Sequence, residues 1–204
     1  MNTMFPQEPS LHFFDPLAEL LGAGDGHFTY TFDDAVKLSG HACPTVAGAF
    51  LMVVHAMDAL YGSETPQRGD ILIRIQGAQD QGVLGPISQV FTLLTGAAPE
   101  NGFQGLGGQH ARNDLLRFEP ASGDAAGPFT FERGDTGKRI TVSYDPSCIP
   151  PRPEMGAHLQ QILQGSAEAE TKEAFRSAWR ERVLNILADG GQSTVTVTVI
   201  HEST

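Results

Sequence analysis

The residues best suited to chemistry are Gly40-His41-Ala42-Cys43-Pro44. A thiolate and an imidazole one residue apart can converge on one soft or borderline metal ion. Zinc is the common occupant of such mixed sites, with iron, nickel and copper as alternatives. The spacing predicts Cys43 at the N-cap of a helix and Pro44 at its first position, where a missing N–H costs nothing. A helix start presents unpaired N–H groups and partial positive charge, and both favour a thiolate over a thiol. The same residue types allow Cys43 to act as a nucleophile with His41 as base. The one-residue spacing and the proline that follows favour shared metal ligation instead. The plain structural alternative makes Cys43 a small buried residue and His41 a hydrogen-bonding cap.

Two ligands leave a metal site open. His110, after Gly107-Gly108, is the first candidate for a third; His27, Cys148 and Asp80 are the others. His55 lies on an apolar helical stretch and reads as a satisfied core histidine. His12, His158 and His201 have no chemical context. Arg112 and Arg117 are candidates to meet an anionic ligand. The stretch Gly102-Phe103-Gln104-Gly105-Leu106-Gly107-Gly108 matches neither the dinucleotide fingerprint nor the phosphate loop with its Lys and Ser/Thr. It reads as a loop lining a pocket, with its backbone close to a ligand or a partner. Arg133-Gly134-Asp135-Thr136-Gly137 reads as a turn, and no nucleophile elbow occurs.

The elements that must position these residues follow from periodicity and punctuation. Asp15-Pro16 opens a short helix to Leu21. A second helix runs from Thr31 or Asp33 to Leu38 and is broken by Gly40. A third runs from Cys43 to Leu60, with Val46, Phe50, Val53, Val54, Met57 and Leu60 at helical spacing. Ile71–Ile75 is a strand, and Gly85-Pro86 opens a helix that Gly96 ends. Asn113–Phe118, Phe129–Arg133 and Arg139–Tyr144 are strands, the last two forming a hairpin. After a proline-rich crossing, helices occupy Glu154–Leu163 and Ala167–Leu187. Val195, Val197 and Val199 then alternate with threonines as a half-buried strand. The expected fold is α+β: a mixed or antiparallel sheet packed with helices, the His-Cys motif at a helix N-terminus. One domain spans residues 1–204, with residues 1–14 a loose N-terminal arm and 154–204 a helical extension plus a final strand.

The chain has 204 residues and a formal charge of −11. That balance argues against nucleic acid or an anionic membrane as partner, since both require cationic patches. Arg176, Arg180 and Arg182 cluster, but Glu173 and Glu181 sit among them, the pattern of a solvated helix face. The two cysteines rule out a disulfide framework as the organising principle. The N-terminus lacks the pattern of a secretory signal, and the apolar run Ala47–Met57 falls short of the ~20 residues that span a bilayer. A cytoplasmic protein with reduced thiols is expected.

Gly40 to Pro44, with Asp34-Ala35-Val36-Lys37-Leu38 before and Val46-Ala47-Gly48 after, resembles the G-H-x-C-P-G signature of the FmdE-like family, which takes its name from formylmethanofuran dehydrogenase. The resemblance continues near Ile71, at Leu94-Thr95-Gly96, from Gly105 to Phe118 and around Phe175, Trp179 and Val183. Only the first motif is specific. The resemblance implies an α+β fold, a metal near the His-Cys motif (most often zinc) and a homodimer. It does not imply formylmethanofuran oxidation. Two departures matter: Thr45 stands where the family has glycine, and the family's further cysteines, near Gly85-Pro86 and at Ala97, are missing here. The carried-over site reduces to His41 and Cys43, to be completed by His110 or water. The expected function is an open His/Cys zinc site able to bind a small ligand. The alternatives are an accessory protein or metal carrier serving a molybdenum or tungsten metalloenzyme, and a structural metal site in a dimer.

Overall fold

The computed structural model describes residues 3–120 and 128–200, so His201 lies outside the described residues. The order is β1 (Leu11–Phe14), α1 (Pro16–Leu20), β2 (His27–Tyr30), α2 (Phe32–Ser39), α3 (Pro44–Tyr61), β3 (Ile71–Gln76), α4 (Leu84–Thr95), β4 (Leu116–Glu119), β5 (Phe129–Arg133), β6 (Arg139–Tyr144), α5 (Met155–Leu163), α6 (Ala169–Leu187) and β7 (Val195–Ile200). The main sheet has five strands in the order β4-β3-β5-β6-β7. Only the β3–β4 pairing is parallel; the others are antiparallel. The fold is therefore α+β with a mixed sheet, as the element order predicts.

Period-two alternation sets the faces of this sheet. Ile71, Ile73 and Ile75 of β3, Phe129 and Phe131 of β5, and Ile140 and Val142 of β6 are all buried in the core shared with α3 and α4. The hairpin closes across Gly134–Gly137, where the Arg133 N–H donates to the Lys138 carbonyl and the Gly137 N–H to the Arg133 carbonyl. The other face carries charge. Glu132 stands opposite Arg139 and accepts from Arg74 Nη1 at 2.7 Å. That hydrogen bond, with the charges of Arg74 and Arg139, holds the Glu132 carboxyl below its ordinary value of 4.5 against the opposing effect of burial. A carboxylate depressed in the folded state adds stability above its unfolded value and loses it as pH falls through the folded value. Glu132→Gln should therefore cost about 1–2 kcal/mol at neutral pH. In urea titrations the penalty should shrink toward zero below the folded value, and a penalty independent of pH would refute the assignment.

Helix α3 is the centre of the molecule. By length and composition it resembles a membrane span, but 67% of it is buried inside the fold, so it is the core helix. It packs against α2, α4, α6, β6 and β7. Gly48, among the small residues near its start, admits the Tyr144 ring: a Cβ there would lie 2.4 Å from Tyr144 Cε1.

One expectation needs correction. The expected loose arm, residues 1–14, contains a strand. Leu11–Phe14 pairs antiparallel with His27–Tyr30, and Phe13 is fully buried. Upstream, the Phe5 N–H donates to Asp33 Oδ1 at 3.0 Å, and its ring meets Phe32 edge-on at 5.0 Å. Leu11 and Phe13 alternate with His12, but four residues beside Pro6 and Pro9 are too few for periodicity to stand out. Residues 154–200 hold two helices and a final strand, of which α6 and β7 share the main core. Val183 and Ile186 of α6 are fully buried in the same core as Phe50, and β7 extends the sheet beside β6.

Candidate metal site at the start of α3

Helix α2 ends where Gly40 adopts φ 71°, and its N–H donates to the Val36 carbonyl. A left-handed residue suits glycine and turns the chain sharply. His41 and Ala42 then form a short bridge to Cys43, the N-cap of α3, as the sequence predicts. Cys43 Sγ accepts the Val46 N–H at 3.4 Å, so one orphan donor of the helix start points at sulfur. Cys43 is half-buried and His41 is exposed.

His41 Nδ1 lies 2.9 Å from the Ser39 carbonyl oxygen. A carbonyl only accepts, so in the neutral ring Nδ1 carries the proton and Nε2 holds the free lone pair. This is the arrangement in which metal-binding histidines are usually fixed, with one nitrogen on a backbone carbonyl and the other on the metal.

Two distant side chains hold the bridge still. The Trp179 indole N–H donates to the Ala42 carbonyl at 2.7 Å, and the Tyr144 hydroxyl donates to the Pro44 carbonyl at 2.8 Å. They anchor the backbone on both sides of Cys43. His41 and Ala42, with Leu159, Phe175, Arg176 and Trp179, line an open cavity of about 370 Å³. Neither clamp is legible as such in the sequence, because each acts across a hundred residues or more. The one available hint is the single tryptophan of the chain.

The third-ligand candidates fare differently. Among the described residues no group of three or more His, Cys, Asp or Glu is placed to hold a metal, so His110 is not joined to His41 and Cys43 within one chain. His110 sits at φ 58° in the glycine-rich loop. His27 lies exposed on β2 with its ring 5.3 Å from that of Phe14, and Asp80 is exposed in a turn. Burial pushes the Tyr144 phenol up and Arg182 opposes it, while Cys43 and Cys148 both add to the rise. Both thiols are free, and Cys148 Sγ contacts the Ser193 carbonyl at 3.5 Å. His55 Nε2 bonds the Gly190 carbonyl at 2.8 Å, the satisfied histidine expected.

The remaining motifs have structural roles. Arg133 closes its turn by pairing with Glu64 and Asp135, its guanidinium 4.2 Å over the Tyr61 ring. Arg117 donates to the Asp114 carbonyl on the surface. On α6, Arg176 and Glu173 pair in the exposed manner of a solvated face, whereas Glu181 pairs with Arg152 of the proline-rich segment, Arg180 lies over the Phe5 ring, and half-buried Arg182 donates to the Ile149 carbonyl. The segment from Gly96 to Gly108 is an ordered loop whose Ala98 and Gly102 line cavities. Compared with known proteins, the chain matches no family model and no curated protein.

Proposed function

We propose that this chain is a metal-binding protein of the type its resemblance to the FmdE-like family implies. It holds zinc, or another borderline transition metal, through His41 Nε2 and Cys43 Sγ. One observation carries the reading: the Nδ1 contact to Ser39 leaves Nε2 as a free donor beside a cysteine at a helix N-cap. The donor types suit zinc, and the clamped backbone supports them. A single chain contributes two donors, so the remaining positions go to water, a small ligand or a second copy. A metal held this openly is a Lewis acid for a bound ligand. The protein acts as a cytoplasmic homodimer. Exposed Leu159 and Leu163 on α5, close to the His41 cavity, offer apolar surface to the second copy.

Elemental analysis of the purified protein tests this reading. About one zinc per protomer is expected, lost in His41→Ala and in Cys43→Ala and retained in His110→Ala. Unchanged metal content in the first two variants would sink it. Metal that transfers readily to an apo-metalloenzyme would identify a carrier instead. A closed four-ligand shell by X-ray absorption would identify a structural site.

A further inference from the structure

A second cavity lies away from the His-Cys bridge, bounded by α1, β2, the end of α4 and the loop after Gly96. Its volume is about 430 Å³. Leu17, Ala18, Leu21, Phe28 and Ala98 give it apolar walls, and Asp15, Arg68 and Arg112 also line it.

The charges there do not balance. Asp15 is buried and accepts from Arg68 Nη1 at 2.8 Å and from Arg112 Nη2 at 2.6 Å. One carboxylate thus serves two guanidinium groups. Arg68 spends its other donors on the Leu93 and Leu94 carbonyls and lies over the Phe28 and Tyr30 rings. Arg112 is different. Its side chain is 9% exposed, and its buried Nη1 has no hydrogen-bond partner among the described residues. Removing such a donor from water without replacing its bonds is costly.

The space for Arg112 is built by glycines. A Cβ on Gly69 would fall 1.7 Å from Arg112 Nη1, and one on Gly96 would fall 3.0 Å away. Burial pushes the Arg112 guanidinium below its ordinary value; Asp15 pulls it back and Arg68 pushes it further down. The net fall comes chiefly from burial.

We propose that this cavity binds a small organic monocarboxylate, its anionic end toward Arg112 and its apolar body against Leu17, Ala18, Leu21 and Phe28. One negative charge completes two positive charges and one negative, which favours a monoanion over a dianion. The apolar walls favour a carbon-rich body over an inorganic ion. The whole chain carries −11, so long-range steering repels the ligand. The contacts must supply the affinity, and binding in the micromolar to millimolar range follows.

Phenylacetate is a suitable probe, titrated by calorimetry or by NMR against phenylacetamide, inorganic phosphate and chloride. Saturable binding of phenylacetate is expected, with the neutral amide weaker by about tenfold or more. Arg112→Met leaves Asp15 and Arg68 as a balanced pair and should weaken phenylacetate by a similar factor. Ala18→Trp fills the cavity while leaving all three charged side chains in place, and it should abolish binding even if Arg112→Met fails to fold. No saturable binding, equal binding of acid and amide, or unchanged affinity in Ala18→Trp would each overturn the proposal. Phosphate or chloride competing as well as phenylacetate would overturn the monocarboxylate assignment. None of these outcomes depends on the metal content of the His41–Cys43 site.

Discussion

Replacing Asp15 with alanine should lower the unfolding free energy by about 3–5 kcal/mol, because it strands two partly or fully buried cations. The pairing itself is not what makes the residue important. A buried ion network replaced whole by apolar groups is often neutral, whereas removing one partner leaves the others unpaired in a poor solvent. Asp15 has a second task. Its Oδ1 accepts the N–H groups of Leu17 and Ala18 and so caps α1, a role worth about 0.5–2 kcal/mol. Asp15→Asn separates the two. Asparagine still caps a helix well but carries no charge, so the difference between Asn and Ala reports the cap and the remainder reports the charge. Urea unfolding of both variants gives the numbers. A loss below about 1 kcal/mol for Asp15→Ala would show that solvent reaches the cluster and serves it as well as Asp15 does.

Phe91→Ala should cost a comparable 3–5 kcal/mol. Phe91 lies on the buried face of α4 with zero exposure, its ring edge-on to Phe129 at 5.3 Å and to Phe131 at 5.1 Å. It thereby ties the helix to β5 in the middle of the sheet. Truncation removes transfer energy, leaves a cavity that the rigid sheet cannot close, and forfeits edge-to-face contacts of about 0.5–1.5 kcal/mol each. Phe91→Leu keeps most of the volume and should cost under about half as much. An unchanged denaturant slope would confirm that the loss is in stability alone. A penalty for Phe91→Ala under about 1 kcal/mol would mean that α4 moves to fill the gap and is less firmly held than its burial implies.

Much of the framework around the candidate metal site is legible one residue at a time. Gly40 supplies the left-handed turn that stops α2, and Pro44 occupies a helix position that needs no N–H. The apolar spacing from Val46 to Leu60 then carries α3 onward. The same holds for the β5–β6 hairpin, where alternation on both sides of Gly134–Gly137 determines which residues face the core. β1 and β2 escape because each is four residues long and stable only through its partner and the core beneath it. Arg112 is recognisable as a cation near glycines, but its partner Asp15 lies 97 residues away. Nothing in either neighbourhood indicates the pairing.

The sequence by itself determined the α+β class, the order of most elements and the helix cap at Cys43 with His41 beside it. These depend on backbone preference, capping and periodicity, which act within a few residues. Only the tertiary structure decided that Trp179 and Tyr144 clamp the His-Cys bridge, that His110 stays outside it, and that two guanidinium groups share one buried carboxylate. Those arrangements arise when segments 53 to 137 residues apart bury surface together, and packing selects among pairings that local chemistry leaves equivalent.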